Sequence, residues 1–182
     1  MRLESMDRAS IERDRRALHQ VYVEAFGATT QEGERFLSGA LDRHVRYAEF
    51  RGLTAVVDDA VVGFTYGYRT QPGTWWNETI RPAMVKAGVE DWLDDAFEFV
   101  ELSVLPAHQG AGIGGALHDT LMSDAPGTRA LLTSAARDTR AMGMYLKRGW
   151  RVLVGDFRYP HVNEDAVIMG LDYRNRDVQT RG

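Results

Sequence analysis

The chain has 182 residues, of which 44% are hydrophobic and 26% are charged, and its formal net charge is -4. This composition is typical of a single globular domain, and the lack of a concentrated basic patch argues against nucleic acid as a partner. The absence of cysteine excludes disulfides, thiolate metal sites and a cysteine nucleophile, and it fits a reducing compartment.

The hydropathy pattern gives no sign of a membrane segment. No apolar run reaches about 18 residues, and the first residues lack the apolar core of a signal peptide. We therefore expect neither a membrane span nor export by that route, and we predict a cytoplasmic location.

Apolar spacing predicts two helices near the start of the chain, after a short opening strand. Asp7 or Ser10 would cap the first helix, and Gly27 would end it. The second predicted helix covers residues 32–47, where apolar residues again recur at helical spacing.

A hairpin and a third helix are predicted next. Residues 53–57 and 61–68 read as two strands joined by a tight turn. A helix is expected to begin near Pro82, which leaves Trp75 and Trp76 in the preceding loop. That tryptophan pair would either line a binding pocket or seal the edge of the core.

A long apolar strand precedes a glycine-rich loop in the middle of the chain. Residues 96–105 are rich in apolar, aromatic and β-branched residues, and Pro106 ends the run because it lacks the N–H that a strand ladder needs. From Ile113 the apolar residues recur at helical spacing. The loop from Gln109 to Gly115 reads Gln-Gly-Ala-Gly-Ile-Gly-Gly. The sequence therefore predicts a strand, a glycine loop and a helix.

The remainder of the chain completes a mixed architecture. Strands are predicted at residues 129–133, 150–154 and 166–171, and a helix is predicted at residues 138–148. This order of elements predicts a mixed sheet covered by helices, an α/β or α+β fold. We expect one domain over residues 1–173 and a polar tail over residues 174–182.

The glycine loop is suited to binding an anion. Glycine lets a ligand approach the backbone closely, and a helix N-terminus adds unpaired N–H groups and the positive end of its dipole. A glycine-rich turn without a ligand is the alternative.

Two named nucleotide-binding motifs are candidates for this loop. Gly110, Gly112 and Gly115 match the dinucleotide fingerprint G-x-G-x-x-G. However, four residues separate the strand from the first glycine, whereas that fingerprint follows its strand directly. No Gly-Lys-Ser or Gly-Lys-Thr follows, which excludes a P-loop.

Three side chains are candidates for proton transfer. Glu98 and Glu101 interrupt the central apolar strand, where burial would raise the pKa of a carboxyl toward that of a useful base. A surface carboxylate paired with arginine is the alternative for each, and Glu101 is preferred because it lies nearer the glycine loop. Tyr145 is a weak acid that could protonate a departing thiolate, and its alternative role is packing in the core.

The sequence lacks the motifs of a zinc site and of an α/β-type serine hydrolase. The five histidines show neither H-E-x-x-H nor another zinc spacing, so no metal is expected. No G-x-S-x-G motif occurs, so a serine hydrolase of the α/β type finds no support.

Two blocks of this sequence resemble the signatures of the GNAT superfamily of N-acetyltransferases. The first begins at Val104 and contains Gln-x-x-Gly-x-Gly, with Gln109 where arginine is commoner. The second, Ala-Met-Gly-Met-Tyr-Leu-Lys-Arg-Gly-Trp, is similar to N-x-x-A-x-x-x-Y-x-x-x-G-F/W, with Asp138 in place of asparagine and Tyr145 at the tyrosine. Their order and separation match the family, and the order of elements agrees over residues 8–173.

The resemblance implies a fold and a co-substrate. The expected fold is a GNAT-like mixed, mostly antiparallel sheet that splays open after the long fourth strand, with acetyl-CoA in the opening. The backbone near Leu102 and Val104 would pair with the pantetheine arm, and the loop amides would hold the pyrophosphate. The positions that the family uses for cofactor binding correspond here to Leu102, Ser103, Val104, Gln109, Gly110, Ala111, Gly112, Ile113, Gly114, Asp138 and Tyr145.

The resemblance also implies a reaction, the direct transfer of an acetyl group to a primary amine of a small molecule or peptide. Glu101 would accept the amine proton, N–H groups near Val104 would polarise the thioester carbonyl, and Tyr145 would protonate CoA. A non-catalytic acyl-CoA-binding module is the alternative. A Rossmann-type oxidoreductase is disfavoured because only about 67 residues follow Gly115. The family also makes a homodimer an option.

Overall fold

The structure is a computed structural model that describes residues 1–136, 139–160 and 164–173. Its strands are β1 (Arg2–Ser5), β2 (Arg51–Val57), β3 (Ala60–Arg69), β4 (Ala96–Val104), β5 (Arg129–Ala135), β6 (Arg151–Arg158) and β7 (Asp165–Asp172). Its helices are α1 (Arg8–Phe26), α2 (Thr30–Arg35), α3 (Asp42–His44), α4 (Trp75–Lys86), α5 (Ile113–Ser123) and α6 (Arg140–Lys147). A π-helical segment (Phe36–Leu41) joins α2 to α3, and short 3₁₀ turns cover Glu90–Leu93 and Pro106–His108.

Hydrogen bonding orders the strands as β1-β2-β3-β4-β5-β7-β6. The pairs β1–β2, β2–β3, β5–β7 and β6–β7 are antiparallel, whereas β4 and β5 are parallel. The expected mixed, mostly antiparallel sheet with flanking helices is therefore confirmed.

Backbone contacts divide the chain into two compact units. The first comprises Met1–Tyr68 and Val100–Ala125, and the second comprises Arg69–Phe99 and the described residues from Pro126 onward. Two long strands, β3 and β4, contribute residues to both units.

In the first unit, α1 has the ends that its sequence predicts. The Asp7 carboxylate accepts a hydrogen bond from the Ser10 N–H at 2.8 Å, and the Ser10 hydroxyl accepts one from the Asp7 N–H at 2.8 Å, which forms a capping box. Gly27 ends the helix with φ 62°, the left-handed conformation that glycine adopts without strain. The expected helix over residues 32–47 is instead split by the π-helical segment.

The hairpin of β2 and β3 turns tightly at Asp58 and Asp59. Val57 pairs with Ala60, and the two aspartates between them have φ 48° and 61°. Positive φ at both central residues is the requirement of a type I′ turn, whose twist matches that of the flanking strands.

Two apolar clusters form the core of the first unit. One buries Leu18 and Val21 of α1, Leu37 and Leu41 of the π-helical segment and Phe64 of β3. The other lies beneath α5 and includes Val62 of β3, Val104 of β4, and Ile113 and Leu117 of α5. The strands of this unit are therefore covered by helices on both faces, which fixes β4 between them.

In the second unit, the prediction that a helix begins near Pro82 is wrong. The helix α4 begins at Trp75, and Pro82 lies inside it. Trp76, Ile80 and Met84 recur every four residues and are buried in one core cluster, so tertiary packing outweighs the helix-breaking tendency of proline. Trp75 is 64% exposed.

The strands β4 and β5 pair in parallel at their first three residues. Ala96 pairs with Arg129, Phe97 with Ala130 and Glu98 with Leu131. This ladder covers the first three residues of β4. The residues of β4 from Val100 onward belong to the first unit, and the 3₁₀ turn at Pro106–His108 connects them to the glycine loop.

Candidate functional site

The glycine loop of the first unit ends at an uncapped helix. Gly110 and Gly112 have φ 84° and 83°, and a Cβ built on either would meet, among the described residues, no atom within 4 Å beyond its own chain neighbours. Gly112 is the N-cap of α5, and as a glycine it supplies no side chain to cap the first N–H groups of that helix. N–H groups that the N-cap leaves uncapped, at the positive end of a helix dipole, suit a phosphate.

The loop is tied to the strand that precedes it. The side-chain amide of Gln109 donates a hydrogen bond to the Val104 carbonyl at 3.0 Å, and the Leu105 N–H donates to the Val62 carbonyl of β3 at 2.9 Å. The position of the glycine loop is therefore coupled to the end of β4.

The polar backbone groups at Leu102 and Val104 point away from β3. At this end of β4, Leu105 donates its N–H toward β3, and backbone groups alternate between the two sides of a strand, so those of Leu102 and Val104 face the opposite edge. The Leu102 N–H donates to Oε1 of Glu101 at 3.0 Å, and the Val104 carbonyl accepts from Gln109. Two of the groups that the resemblance assigns to the pantetheine arm thus bond to side chains in this structure.

Glu101 has the electrostatics of a base that works near neutral pH. Its side chain keeps some accessible surface, but loss of hydration around the carboxyl raises its pKa from 4.5 to about 7. Hydrogen bonds from Ser103 and from the Leu102 N–H oppose this rise. The Thr65 hydroxyl donates to the Glu101 carbonyl at 2.7 Å and fixes the backbone at this residue.

Tyr22 of α1 is the residue near Glu101 that the sequence analysis missed. Its ring stacks on Phe36 with a centroid distance of 4.1 Å and an interplanar angle of 4°. Burial and, to a smaller extent, the charge of Glu101 raise the pKa of Tyr22. Tyr22 and Glu101 are far apart in the sequence, so only the packing of α1 against the sheet reveals this relationship.

A second titratable group of the first unit, His44, packs among aromatic rings. Its Nδ1 lies 3.2 Å from the Tyr66 hydroxyl, and its ring contacts those of Tyr47 and Tyr68. Burial and the nearby charge of Arg43 lower its pKa to about 4. His44 is therefore neutral at the pH at which Glu101 titrates.

The second unit carries Tyr145 on α6. Thr139 caps this helix by accepting a hydrogen bond from the Met142 N–H at 3.0 Å. Tyr145 is 7% exposed, and its ring contacts Phe99 and Trp150 with centroid distances of 6.0 and 5.8 Å. These contacts fix the orientation of the phenol. Asp138, the other predicted cofactor contact from this block, lies outside the described residues.

The alternative base, Glu98, also belongs to the second unit. It is 3% exposed, and its charge contributes to the raised pKa of Tyr159, which burial dominates. The Tyr159 hydroxyl accepts a hydrogen bond from Trp76 Nε1 at 2.9 Å and shares another with Thr133 at 2.5 Å. These bonds are internal to the unit and describe a structural polar cluster.

Among the described residues, no group of three or more histidine and acidic side chains could hold a metal ion. Within the same ranges, no helix combines the length and the apolar character needed to cross a membrane.

Comparison with known proteins decides the family. A family model described as the acetyltransferase (GNAT) family matches residues 15–150. The chain belongs to the GNAT family. The resemblance of its two sequence blocks to GNAT signatures is thereby confirmed. The match includes the glycine loop, Glu101 and Tyr145.

One curated GNAT relative is a GCN5-like protein acetyltransferase of Mycobacterium tuberculosis. It is 27% identical over 118 residues, which are 60% of this chain and 57% of the relative. The aligned segment thus spans little more than half of the relative's length.

Solved structures of GNAT proteins share the fold at low identity. An aminoglycoside 6'-N-acetyltransferase complexed with coenzyme A has a TM-score of 0.66 and 15% identity, with 95% of this chain and 97% of that chain covered. A ribosomal-protein-alanine N-acetyltransferase from Brucella melitensis has a TM-score of 0.62 and 14% identity, with 94% and 99% covered. PaiA N-acetyltransferase from Thermoplasma acidophilum, in complex with coenzyme A, has a TM-score of 0.58 and 13% identity, with 95% and 100% covered.

Proposed function

We propose that this GNAT protein transfers an acetyl group from acetyl-CoA directly to a primary amine of a small molecule or a peptide. The observation that carries the proposal is the carboxyl of Glu101. It lies in the strand before the glycine loop, and burial raises its pKa to about 7. A base with this pKa is both substantially ionised and strong enough to accept a proton at neutral pH.

The glycine loop fits the diphosphate of coenzyme A. Uncapped N–H groups of α5 and the open space at Gly110 and Gly112 support this assignment, as do the CoA complexes of two structural relatives. We assign the contacts with the co-substrate to Leu102, Ser103, Val104, Gln109, Gly110, Ala111, Gly112, Ile113, Gly114, Asp138 and Tyr145. The bound co-substrate supplies an acetyl group activated as a thioester.

Each catalytic residue has one proton to move. Glu101 accepts the proton that the amine loses as the new N–C bond forms, and Tyr145 donates a proton to the sulfur as the C–S bond breaks. The Val104 N–H points away from β3 and polarises the thioester carbonyl. Because the chain contains no cysteine, we infer direct transfer within a ternary complex instead of a cysteine acyl-enzyme.

The proposed acceptor is a primary amine that belongs either to a small molecule or to a polypeptide. The names of the structural relatives include an aminoglycoside acetyltransferase and a ribosomal-protein-alanine acetyltransferase, so both small molecules and polypeptides serve as acceptors in proteins of this fold. A cysteine-free chain also fits the cytoplasm, which we propose as its location.

Two measurements test the proposal. Acetyl-CoA should raise the melting temperature whereas NAD and NADP should not, since a ligand at about 100 times its Kd stabilises by about 2.7 kcal/mol. A panel of aminoglycosides, polyamines, amino acids and peptides should then be screened for thiol release. Binding of acetyl-CoA without thiol release from any amine would favour the acyl-CoA-binding module.

A further inference from the structure

The two carboxylate oxygens of Glu101 have different surroundings. Oε1 accepts hydrogen bonds from the Leu102 N–H and from the Ser103 hydroxyl, both at 3.0 Å. In the ranges that the structure describes, Oε2 accepts no hydrogen bond. One oxygen is therefore held by the strand itself, and the other is available to a substrate.

We propose that Ser103 is a positioning residue, whose hydroxyl holds Oε1 of Glu101 so that Oε2 is the oxygen presented to the acceptor amine. This inference rests on the proposed role of Glu101 in acetyl transfer. It assigns to Ser103 a task that differs from contact with the co-substrate.

The strand geometry suits Ser103 to this task. Side chains two residues apart lie on the same face of a strand, so the Ser103 hydroxyl lies beside the Glu101 carboxyl. Ser103 is 1% exposed, and water therefore competes little for its hydrogen bond. Its carbonyl lies close to Gly63 of β3, which restricts movement of the strand at this position.

The hydrogen bond also controls the acidity of Glu101. A hydroxyl donates a stronger bond to an ionised carboxylate than to a neutral carboxyl, so it favours the ionised form. Burial raises the pKa of Glu101, and the bond from Ser103 is the largest of the effects that lower it. Removal of the hydroxyl should therefore raise the pKa further.

Tyr22 interacts electrostatically with Glu101 and does not change charge near neutral pH. Tyr22 faces it from α1 with a pKa raised above 10.0, and Glu32, at the start of α2, adds to that rise. The pKa of Glu32 is itself lowered by its hydrogen bonds to Thr29. On α3, His44 has a pKa of about 4, and β3 contributes the uncharged Thr65. Of these groups, Glu101 is the one that ionises near pH 7.

The first experiment compares pH profiles of kcat/KM for acetyl transfer in the wild type, S103A and S103T. In S103A, the midpoint of the acidic limb of this profile should move to a higher pH by about 0.5 to 1 unit. A shift of this size corresponds to the free energy of about one such hydrogen bond. Its rate at pH 6 should consequently fall by about three- to tenfold relative to wild type, with a smaller difference at pH 9. S103T keeps the hydroxyl and should keep the wild-type limb.

A matched control is Ser123→Ala, which removes a hydroxyl that donates to the Thr120 carbonyl on α5 at 2.8 Å. Its acidic limb should coincide with that of the wild type. Melting temperatures of all variants, measured at the same pH, separate a change in folding from a change in proton transfer.

The second experiment titrates the Glu101 carboxyl directly by ¹³C NMR and needs no acceptor. A higher pKa in S103A, together with the shifted limb, supports the proposal. An unchanged pKa in S103A overturns it. If the NMR pKa rises while the kinetic limb stays in place, the enzyme remains an acetyltransferase but Ser103 has no role in its proton transfer. Failure of the proposed function shows separately, as no thiol release by the wild type, and removes the reaction that Ser103 would serve.

Discussion

Gly63 in β3 lies so close to Ser103 in β4 that a Cβ on Gly63 would stand 2.9 Å from the Ser103 carbonyl oxygen. The same Cβ would stand 3.2 Å from the Val104 side chain and 3.4 Å from that of Leu117. The absence of a side chain at Gly63 thus allows β3, β4 and α5 to pack together beneath the glycine loop.

Gly63→Ala should destabilise the protein by about 1–3 kcal/mol, because the backbone carbonyl that it meets cannot move aside as a flexible side chain would. Chemical denaturation measures the change. Gly39→Ala is the control, since a Cβ at Gly39 would meet, in the described part of the chain, no atom within 4 Å beyond its own neighbours in the helix. The control should leave stability unchanged or raise it by up to about 1 kcal/mol. Equal effects of the two substitutions would contradict the close contact.

Gly112→Ala should weaken the binding of acetyl-CoA by about tenfold or more, because a Cβ at the N-cap of α5 intrudes on the proposed diphosphate site. Calorimetry measures the Kd. Gly27→Ala is a matched control, since Gly27 also has positive φ and open space but lies at the end of α1. Both variants should lose about 1–2 kcal/mol of stability, and an unchanged Kd in G112A would remove the loop from the binding site.

Tyr145→Phe should lower kcat by about 10- to 1,000-fold, the range of typical acid–base contributions, with little change in KM. The ring contacts with Phe99 and Trp150 are kept in Y145F, and its melting temperature, measured in parallel, separates a loss of stability from a loss of catalysis. Tyr47→Phe tests whether loss of any partly buried phenol slows the reaction, and it should not. A wild-type rate in Y145F under saturating substrates would exclude Tyr145 as the acid.

Glu101→Gln should change the dependence of stability on pH. An unfolded glutamate ionises near pH 4.5 and the folded one near pH 7, so the folded state holds an extra proton between these values. The stability due to that proton is present below pH 4.5 and is lost as pH rises through 7. E101Q lacks this loss and should be more stable than wild type by about 1–3 kcal/mol at pH 8, with a smaller difference at pH 5. Urea denaturation at the two pH values measures it, and a constant difference would contradict the raised pKa.

Asp59→Gly should stabilise the protein by about 0.5–1 kcal/mol, because glycine adopts the positive φ of the type I′ turn without strain. The ion pair that Asp59 makes with Arg2 at 3.0 Å is exposed, and its loss should matter little. Asp59→Ala loses the same ion pair but keeps the strain, so it should not stabilise. Thermal unfolding compares the two variants.

Local signals in the sequence predict an element's ends well where a cap determines them, and poorly where burial against distant residues does. Asp7 and Gly27 delimit α1 because caps depend on residues within one turn. The start of α4 was misplaced because Pro82 is a strong local signal, whereas the burial of Trp76 that holds the first turn depends on distant strands. The π-helical segment has no recognised sequence signal and was predicted as ordinary helix.

The sequence predicts which residues make up the candidate site better than it predicts their acidity. The glycine loop and Glu101 follow from motif and position, and Ser103 follows Glu101 at the spacing that shares a strand face. The pKa of Glu101, by contrast, depends on how tightly the unit excludes water around one carboxyl. The role of Tyr145 as an acid stays a prediction, supported by its place in the second GNAT block.

The π-helical segment between α2 and α3 sets the rotational phase of the residues that follow it. A π turn holds one residue more than an α turn, and each residue advances a helix by about 100°. If the same residues instead formed a regular α-helix, every residue after the segment would be rotated relative to α2, and His44 would turn away from the Tyr66 hydroxyl. The irregular turn therefore works as a spacer that allows α2 and His44 each to meet its own partners.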